Sequence, residues 1–294
     1  MATGVTEAVG VVVADVANPF FASLVSGAEQ ELRTNGIDCL VANTGEDMTR
    51  EAEVVEALLR RQVDGIIISS AAGMNEKVPH LESARKLGVP IVLFDRSLRY
   101  LDAPTVVLDN VGAARRATEL LLDLGHREIA LIWGASMGDD PLMIPQDALS
   151  TSIERFQGYR EALTSRGMDV KPGLVAPRPS TLSGSQAPTR VLDGPERPTA
   201  ILAVEADATL ATLKGLRHRL LSCPGDLSLV AFDDAPWTEL TDPPLTVVQQ
   251  PSVEMGRVAA VRLQELMAAR SSSSTSVDIL PEQLIVRGSA APLV

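Results

Sequence analysis

The sequence has 294 residues, of which 45% are hydrophobic and only 3% aromatic, so it predicts a large core built from aliphatic side chains. Its formal net charge of −12 argues against direct binding to the phosphates of a nucleic acid. No apolar run reaches the ~18 residues of a membrane span, and the segment from Met1 to Ala8 lacks the basic residues of a secretion signal, so we expect a cytoplasmic protein or one whose leader has been removed.

The first part of the chain alternates short apolar runs with longer amphipathic runs. We predict strands at Val9–Ala14, Cys39–Ala42, Gly65–Ser69, Ile91–Phe94 and Val106–Leu108, and helices at Phe20–Asn35, Arg50–Gln62, Asn75–Leu87 and Val111–Leu124. The pair Asn18-Pro19 supports the first helix, because it places a capping residue before a proline at the first helical position. This order predicts a parallel sheet covered by helices on both faces.

The alternation starts again near Gly125 and predicts a second unit of the same kind. Strands are predicted at Ile129–Trp133, Leu174–Ala176, Ala200–Val204 and Leu227–Phe232, and helices at Ser150–Arg166, Ser185–Leu192 and Ala208–Leu220. The tail does not simply extend this unit: a short strand is predicted at Leu245–Val248 and a long helix at Ser252–Arg270. The polar run Ser271–Ser276 is predicted to be a surface loop, followed by strands at Val277–Leu280 and Leu284–Arg287. The fold class is therefore α/β, with two doubly wound parallel-sheet lobes.

Polar and aromatic side chains follow several predicted strands at their carboxyl ends, where ligands bind in open parallel sheets. The first strand is followed by Asn18, Phe20 and Phe21, and later strands by Asp95-Arg96 and Asp233-Asp234. Carboxylates accept hydrogen bonds from hydroxyls, amide and guanidinium groups donate them, and an aromatic ring covers the apolar face of a sugar. Each residue alone could equally be a core or capping residue. Their joint placement favours a polyhydroxylated ligand.

The sequence contains no catalytic or metal-binding signature. It has no nucleophile elbow, P-loop or dinucleotide-binding glycine pattern, so no nucleophile–base pair can be named and we expect neither an enzyme nor a cofactor. Cys39 and Cys223 are predicted to be buried free thiols rather than a disulfide or a metal site. His80, His126 and His218 are expected at the surface or at helix ends. The glycine-bearing segment 134–138 is interpreted as a mobile loop rather than a phosphate loop, because no lysine follows.

Seven short motifs follow one another along the chain. They are Asn18-Pro19-Phe20-Phe21, Val63-Asp64-Gly65-Ile66-Ile67, Phe94-Asp95-Arg96, Leu124-Gly125-His126-Arg127-Glu128-Ile129, Arg155-Phe156-Gln157-Gly158-Tyr159, Phe232-Asp233-Asp234 and Asp242-Pro243-Pro244-Leu245-Thr246. Their order resembles the LacI/GalR repressor family and the related periplasmic sugar-binding proteins. The resemblance extends from about Val9 to Ser289.

The resemblance implies a periplasmic-binding-protein-like fold of type I, with two lobes joined by three crossovers. The N-terminal lobe would comprise 1–126 plus 248–276, the C-terminal lobe 127–247 plus 277–294, and a small sugar-like effector would bind between them. Carried over by position, the ligand-binding residues would be Asn18, Phe20, Phe21, Asp95, Arg96, Arg155, Glu205, Asp233 and Gln249. Among these, Arg155 would donate paired hydrogen bonds to ligand hydroxyls or to a carboxylate.

The sequence departs from the family pattern in three places, all of which bear on ligand identity. Glu205-Ala206 stand where the family usually has Asn-Asp, and Pro177-Arg178-Pro179 stand where an aromatic residue is common. The loop 134–149 is longer than usual and contains Asp139, Asp140 and Met143. These differences predict an atypical ligand or a loss of ligand response.

The resemblance also implies the partners of the protein. The family's repressors bind DNA through a helix-turn-helix head, which this chain does not contain, so we expect DNA binding only through that absent head and no membrane partner. We expect a homodimer, with contacts from the helix Asn75–Leu87. The alternative is a monomeric periplasmic sugar-binding protein of a transporter, although the motifs from Leu124 and from Asp242 favour the repressor branch. An enzyme on the same scaffold is the third possibility.

Overall fold

The computed structural model describes residues 6–133, 142–145, 147–177, 190–269 and 275–293. The strands within these residues are β1 (Ala8–Val13), β2 (Asp38–Asn43), β3 (Gly65–Ile68), β4 (Ile91–Phe94), β5 (Thr105–Leu108), β6 (Ile129–Trp133), β7 (Val175–Pro177), β8 (Ala200–Ala203), β9 (Ser228–Phe232), β10 (Thr246–Gln249), β11 (Val277–Leu280) and β12 (Gln283–Ile285). The helices are α1 (Pro19–Thr34), α2 (Met48–Arg60), α3 (Pro79–Lys86), α4 (Asn110–Asp123), α5 (Ser150–Ser165), α6 (Ala206–His218) and α7 (Ser252–Ala269). The predicted helix at 185–192 and the loop at 134–138 lie wholly or mostly outside the described residues.

The chain divides into two compact units, Met1–Leu108 with Pro251–Leu280 and Asp109–Gln250 with Pro281–Val294, which we call the first and second lobes. The chain therefore passes from one lobe to the other three times, as predicted. The first lobe contains a six-stranded parallel sheet in the order β11-β5-β4-β3-β1-β2. Alternate side chains of β1 enter separate cores: Val11 packs with α1 and α7, and Val12 packs with α2 and α3.

The second lobe repeats this architecture with a six-stranded sheet in the order β12-β10-β9-β8-β6-β7. Its strands are parallel except for β12, which pairs antiparallel with β10 at the edge. Helices α4 and α5 pack against each other, while α6 contributes Ala208 and Leu216 to a core that includes β8 and β9. The predicted fold of two doubly wound lobes is confirmed.

Two elements, α4 and β11, do not belong to the lobe that we predicted for them. Helix α4 packs against α5 of the second lobe, although we had placed 1–126 in the N-terminal lobe. Strand β11 pairs with β5 and so completes the first sheet, although we had placed 277–294 in the C-terminal lobe. The lobe boundaries came from the family resemblance, whereas the lobe to which α4 and β11 belong depends on contacts with elements that neither the motifs nor the periodicity reveal.

Most predicted boundaries agree with the structure to within two residues, but α3 is shorter than expected. It begins at Pro79 rather than at Asn75. Proline has no N–H and disfavours helical geometry at the residue before it, so Val78 takes a non-helical conformation and the helix starts after it.

The two cysteines are free, as predicted, and each is half-buried. Burial raises the pKa of both thiols to about 11, so neither is a reactive thiolate at neutral pH. In the described part of the chain, no helix combines the length and the apolarity needed to cross a membrane.

His126 follows the end of α4, which agrees with the expected surface or helix-end position, but its side chain is buried inside the second lobe. Its Nε2 lies 3.0 Å from the carbonyl oxygen of Ala291, and its Nδ1 lies 3.0 Å from Oγ1 of Thr199. Because a carbonyl oxygen can only accept, Nε2 carries the proton and Nδ1 of the neutral ring accepts from the threonine hydroxyl. The ring thus links the chain before β6 to the segment before β8 and to the C-terminal segment.

This environment predicts that the second lobe loses stability in mild acid. Burial lowers the pKa of His126, and the positive charge of Arg127 lowers it further. The contribution of His126 to stability is therefore complete above the ordinary value of about 6.5 and is lost as the pH falls through the lowered folded value. In urea unfolding experiments between pH 8 and pH 5, we expect His126→Gln to flatten this decline. The exposed His218 provides the control: an equal effect of His218→Gln would contradict the assignment.

Candidate functional site

The carboxyl end of the first sheet brings together residues that follow β1 and β4. Asn18 caps α1 by accepting a hydrogen bond from the backbone N–H of Phe20. The rings of Phe20 and Phe21 meet edge to face at 5.1 Å, and both belong to the apolar core under α1. The guanidinium of Arg96 lies 5.8 Å from the centre of the Phe21 ring. The two predicted segments are therefore neighbours in space.

Asp95 and Asp233 occupy equivalent places in the two lobes, directly after β4 and β9. Both have a left-handed backbone, with φ of 64° and 72°, a conformation that aspartate tolerates better than most residues. Each donates its backbone N–H to the next strand of its sheet, Asp95 to Val106 and Asp233 to Val248. Because of this turn, the side chain does not follow the alternation between the two faces of the sheet that the strand before it shows. Each carboxylate therefore lies at the end of its sheet.

The Asp95-Arg96 pair is part of a buried polar network in the first lobe. Asp95 Oδ2 lies 3.4 Å from both Ser69 Oγ and Arg96 Nε. Arg96 donates through Nη1 and Nη2 to the two carboxylate oxygens of Glu46, at 2.8 and 2.7 Å, and through Nη1 to the carbonyl of Ser70. Arg96 is therefore positioned by the segment after β2 and by the end of β3.

Arg155 lies on α5 with its guanidinium almost completely buried in the second lobe. Its Nε donates to Asn110 Oδ1 at 2.8 Å, and its Nη1 donates to the carbonyl of Val204 at 2.6 Å. The guanidinium also stacks 4.5 Å from the ring centre of Phe232. These contacts fix the plane of the guanidinium at the carboxyl ends of β8 and β9.

Gln250 connects Arg155 to Asp233. Its Oε1 lies 3.5 Å from Arg155 Nη2, and its Nε2 donates to Asp233 Oδ1 at 2.6 Å. Burial raises the pKa of Asp233, although the charge of Arg155 and the hydrogen bond from Gln250 both oppose this. The cluster therefore offers donors and an acceptor that are held by protein hydrogen bonds before any ligand arrives.

The adjacent carboxylate, Asp234, has a different environment. Arg287 donates to both of its oxygens, at 2.8 and 2.9 Å, and these hydrogen bonds hold the pKa of Asp234 below its usual range. Gln249 also donates to Asp234, at 3.2 Å. Of the neighbouring pairs Asp233-Asp234 and Gln249-Gln250, one member of each joins the Arg155 cluster and the other joins the Arg287 ion pair.

The structure thus brings together Phe21, Asp95 and Arg96 in the first lobe, and Arg155 and Asp233 in the second. Glu205 lies at the N-cap of α6, following β8 at the same end of the second sheet. The predicted ligand residue Gln249 contacts Asp234 instead of the Arg155 cluster. Arg178 and Pro179, which belong to the segment that stands where the family commonly has an aromatic residue, lie outside the described residues.

Sequence reasoning missed three polar residues of these clusters: Glu46, Asn110 and Gln250. All three come shortly after a strand, namely β2, β5 and β10. Extending the search for polar residues to every strand end would have found them. No motif would have shown that Asn110 uses both ends of its amide, accepting from Arg155 and donating to Glu154 Oε2 at 3.0 Å.

Comparison with known protein families and with single proteins finds matches that cover most of the chain. The family described as periplasmic binding protein-like domain matches residues 118–290. Catabolite control protein A of Priestia megaterium is 30% identical over 290 residues, which cover 98% of this chain and 83% of that protein.

Two solved structures resemble the chain over nearly its whole length. A complex of the transcriptional regulator CelR with cellobiose is 31% identical, with a TM-score of 0.84 over 97% of this chain and 85% of that one. A LacI family transcriptional regulator from Enterococcus faecium with bound ribose is 26% identical, with a TM-score of 0.82 over 98% of this chain and 100% of that one.

Proposed function

We propose that this chain, which belongs to the LacI family of transcriptional regulators, is the effector-sensing domain of such a regulator. Its ligand is proposed to be a small sugar or a sugar-like compound. The relatives are regulators rather than enzymes, which fits a role in binding without turnover. Ribose and cellobiose occupy two of the similar structures, so a polyhydroxylated ligand is the natural first candidate here.

The observation that carries this proposal is the arrangement around Arg155. A buried guanidinium and a buried carboxylate, Asp233, are joined through Gln250, and Asn110 fixes the plane of the guanidinium. A donor and an acceptor held this way suit neighbouring hydroxyls, because one hydroxyl accepts from arginine while the next donates to the carboxylate. We propose that the ligand also contacts the strand-end residues of the first lobe, including Asn18, as the family resemblance implies.

We further propose that ligand binding alters DNA binding by a helix-turn-helix head, and that the protein acts in the cytoplasm as a homodimer. The acidic charge of this chain, −12, favours a separate basic head for DNA contact. Helix α3 is proposed to contribute to the dimer contact. The coupling cannot exceed the ligand's preference for one conformation over the other. Sedimentation at micromolar concentration tests the dimer, and a monomer would contradict it.

A thermal-shift screen tests ligand binding directly. Neutral sugars, polyols, nucleosides and sugar phosphates would each be added at millimolar concentration, and the Tm of the protein measured. At a concentration of about 100 times Kd, a ligand adds ~2.7 kcal/mol to the free energy of unfolding and so raises Tm by several degrees. Isothermal titration of each active compound confirms a stoichiometric site. If no member of any class raises Tm, the proposed function is wrong.

A further inference from the structure

Glu46 is a feature of the first lobe that neither the fold nor the family resemblance explains. It lies between β2 and α2 in a left-handed conformation with φ of 63°, directly after Gly45, which is also left-handed. This conformation is unusual for glutamate and directs its side chain toward Arg96. Both carboxylate oxygens accept from the Arg96 guanidinium at 2.8 and 2.7 Å, which is the paired geometry of a bound anion.

The pair sits partly accessible to solvent at the carboxyl end of the sheet. The side chain of Arg96 is 6% exposed, whereas that of Glu46 is 31% exposed. Glu46 therefore covers the buried guanidinium from the outside. A ligand carboxylate or phosphate that sought the same paired contact would first have to displace Glu46.

The formal charges of this network lead to the same conclusion. Arg96 is flanked by Glu46 on its Nη atoms and by Asp95 at 3.4 Å from Nε, so two carboxylates surround one guanidinium. An incoming anion would meet like charges at close range, in surroundings that screen them poorly. A neutral polyol would meet carboxylate oxygens that accept hydrogen bonds from its hydroxyls.

We propose that Glu46 is a specificity-determining residue, which occupies the anion-binding edge of Arg96 and restricts the effector to neutral polyhydroxylated compounds. This inference rests on the proposed function, because it names the chemical class of the effector proposed there. In the thermal-shift screen, we therefore expect neutral sugars to raise the Tm of the protein, and sugar phosphates and sugar acids to leave it unchanged.

The charge-removing variant Glu46→Gln tests the proposal without knowledge of the natural ligand. Inorganic phosphate is the probe, titrated at constant ionic strength, with each variant compared with its own Tm in the absence of phosphate. We expect the phosphate Kd of Glu46→Gln to be lower than that of the unchanged protein by about tenfold or more, because the carboxylate no longer competes for Arg96. Circular dichroism verifies that each variant is folded.

The matched control is Glu53→Gln, which removes the same charge from an exposed position on α2. It should leave the phosphate response unchanged, whereas an equal gain would show a general charge effect and overturn the proposal. The double variant Glu46→Gln with Arg96→Gln should lose the gain, and a retained gain would also overturn it.

A second arm separates this proposal from the proposed function. Ribose and ribose 5-phosphate, and glucose and glucose 6-phosphate, are compared in both proteins. A response of the unchanged protein to a phosphorylated member overturns the role of Glu46 but keeps a sugar effector. A gain of phosphate binding in Glu46→Gln supports anion exclusion. If in addition no sugar binds to either protein, the sugar-effector function is overturned and the assignment of ligand class falls with it.

Discussion

Replacing Arg155 by lysine is expected to lower the affinity for the effector by about tenfold to a hundredfold, in line with the loss of a hydrogen bond to a charged donor. Lysine keeps the positive charge near Asp233, but its compact ammonium cannot reproduce the planar fork with which Arg155 donates to Asn110 and Val204 while also facing a ligand. The measurement is the shift of Tm, and the Kd by titration calorimetry, with whichever neutral sugar gives the largest rise in the screen.

The same substitution is expected to reduce the free energy of unfolding by ~1–3 kcal/mol, because buried acceptors lose their donors. The alanine variant is less suitable: it leaves the buried Asp233 without a nearby positive charge, and breaking a buried pair typically costs ~3–5 kcal/mol. Arg160→Lys, on the exposed side of α5, is the matched control and should bind normally. Full ligand stabilisation of Arg155→Lys would remove Arg155 from the site.

The sequence could predict the fold because each lobe repeats a strong local signal. Continuous apolar runs such as Ile129–Trp133 and the periodic helix α2 are determined by burial alone, and their limits follow capping residues, glycines and prolines. Assignment of α4 and β11 to a lobe failed because it depends on contacts between elements that are distant in the chain. The short α3 shows the limit of periodicity, since Pro79 decides its start against a favourable apolar pattern.

The candidate site was predictable only in part, for a physical reason that Asp233 and Gln249 illustrate. Strand ends could be located from the sequence, but which of two adjacent side chains enters a cluster depends on the backbone turn. Asp233 has a left-handed backbone, and its partner is Gln250, whereas Gln249 donates to Asp234. Likewise, only the conformation of Glu46 brings its carboxylate to Arg96, and no spacing rule encodes it.

Helix α7 crosses α1 of the first lobe at two glycines, and this crossing is where the largest loss of stability is expected. A Cβ atom added to Gly256 would lie 1.9 Å from the carbonyl oxygen of Leu24, and one added to Gly27 would lie 1.9 Å from that of Val253. Both obstacles are backbone atoms, which cannot move aside as a side chain could. The close approach buries Met255, Ala259 and other residues of α7 in the first-lobe core.

We therefore expect Gly256→Ala to lower the free energy of unfolding by about 3 kcal/mol, the upper part of the usual range for overpacking, measured by urea unfolding followed by circular dichroism. Alanine has the higher helix propensity, by ~1 kcal/mol, so propensity alone predicts the opposite sign. Overpacking outweighs it because the helices must separate and lose contacts along their length. Gly27→Ala should have a similar effect from the other side of the crossing.

The control for replacing a glycine without a steric clash is Gly36→Ala, at a glycine that follows α1. Gly36 has φ of 72° and open space around it, so alanine there introduces backbone strain but no steric clash. We expect a loss of only about 1 kcal/mol. If Gly256→Ala destabilised no more than Gly36→Ala, the helices could separate at little cost and the tight crossing would not determine the core. A larger loss at Gly256 would show that the fixed position of α7 depends on a side-chain-free contact, which apolar periodicity cannot reveal.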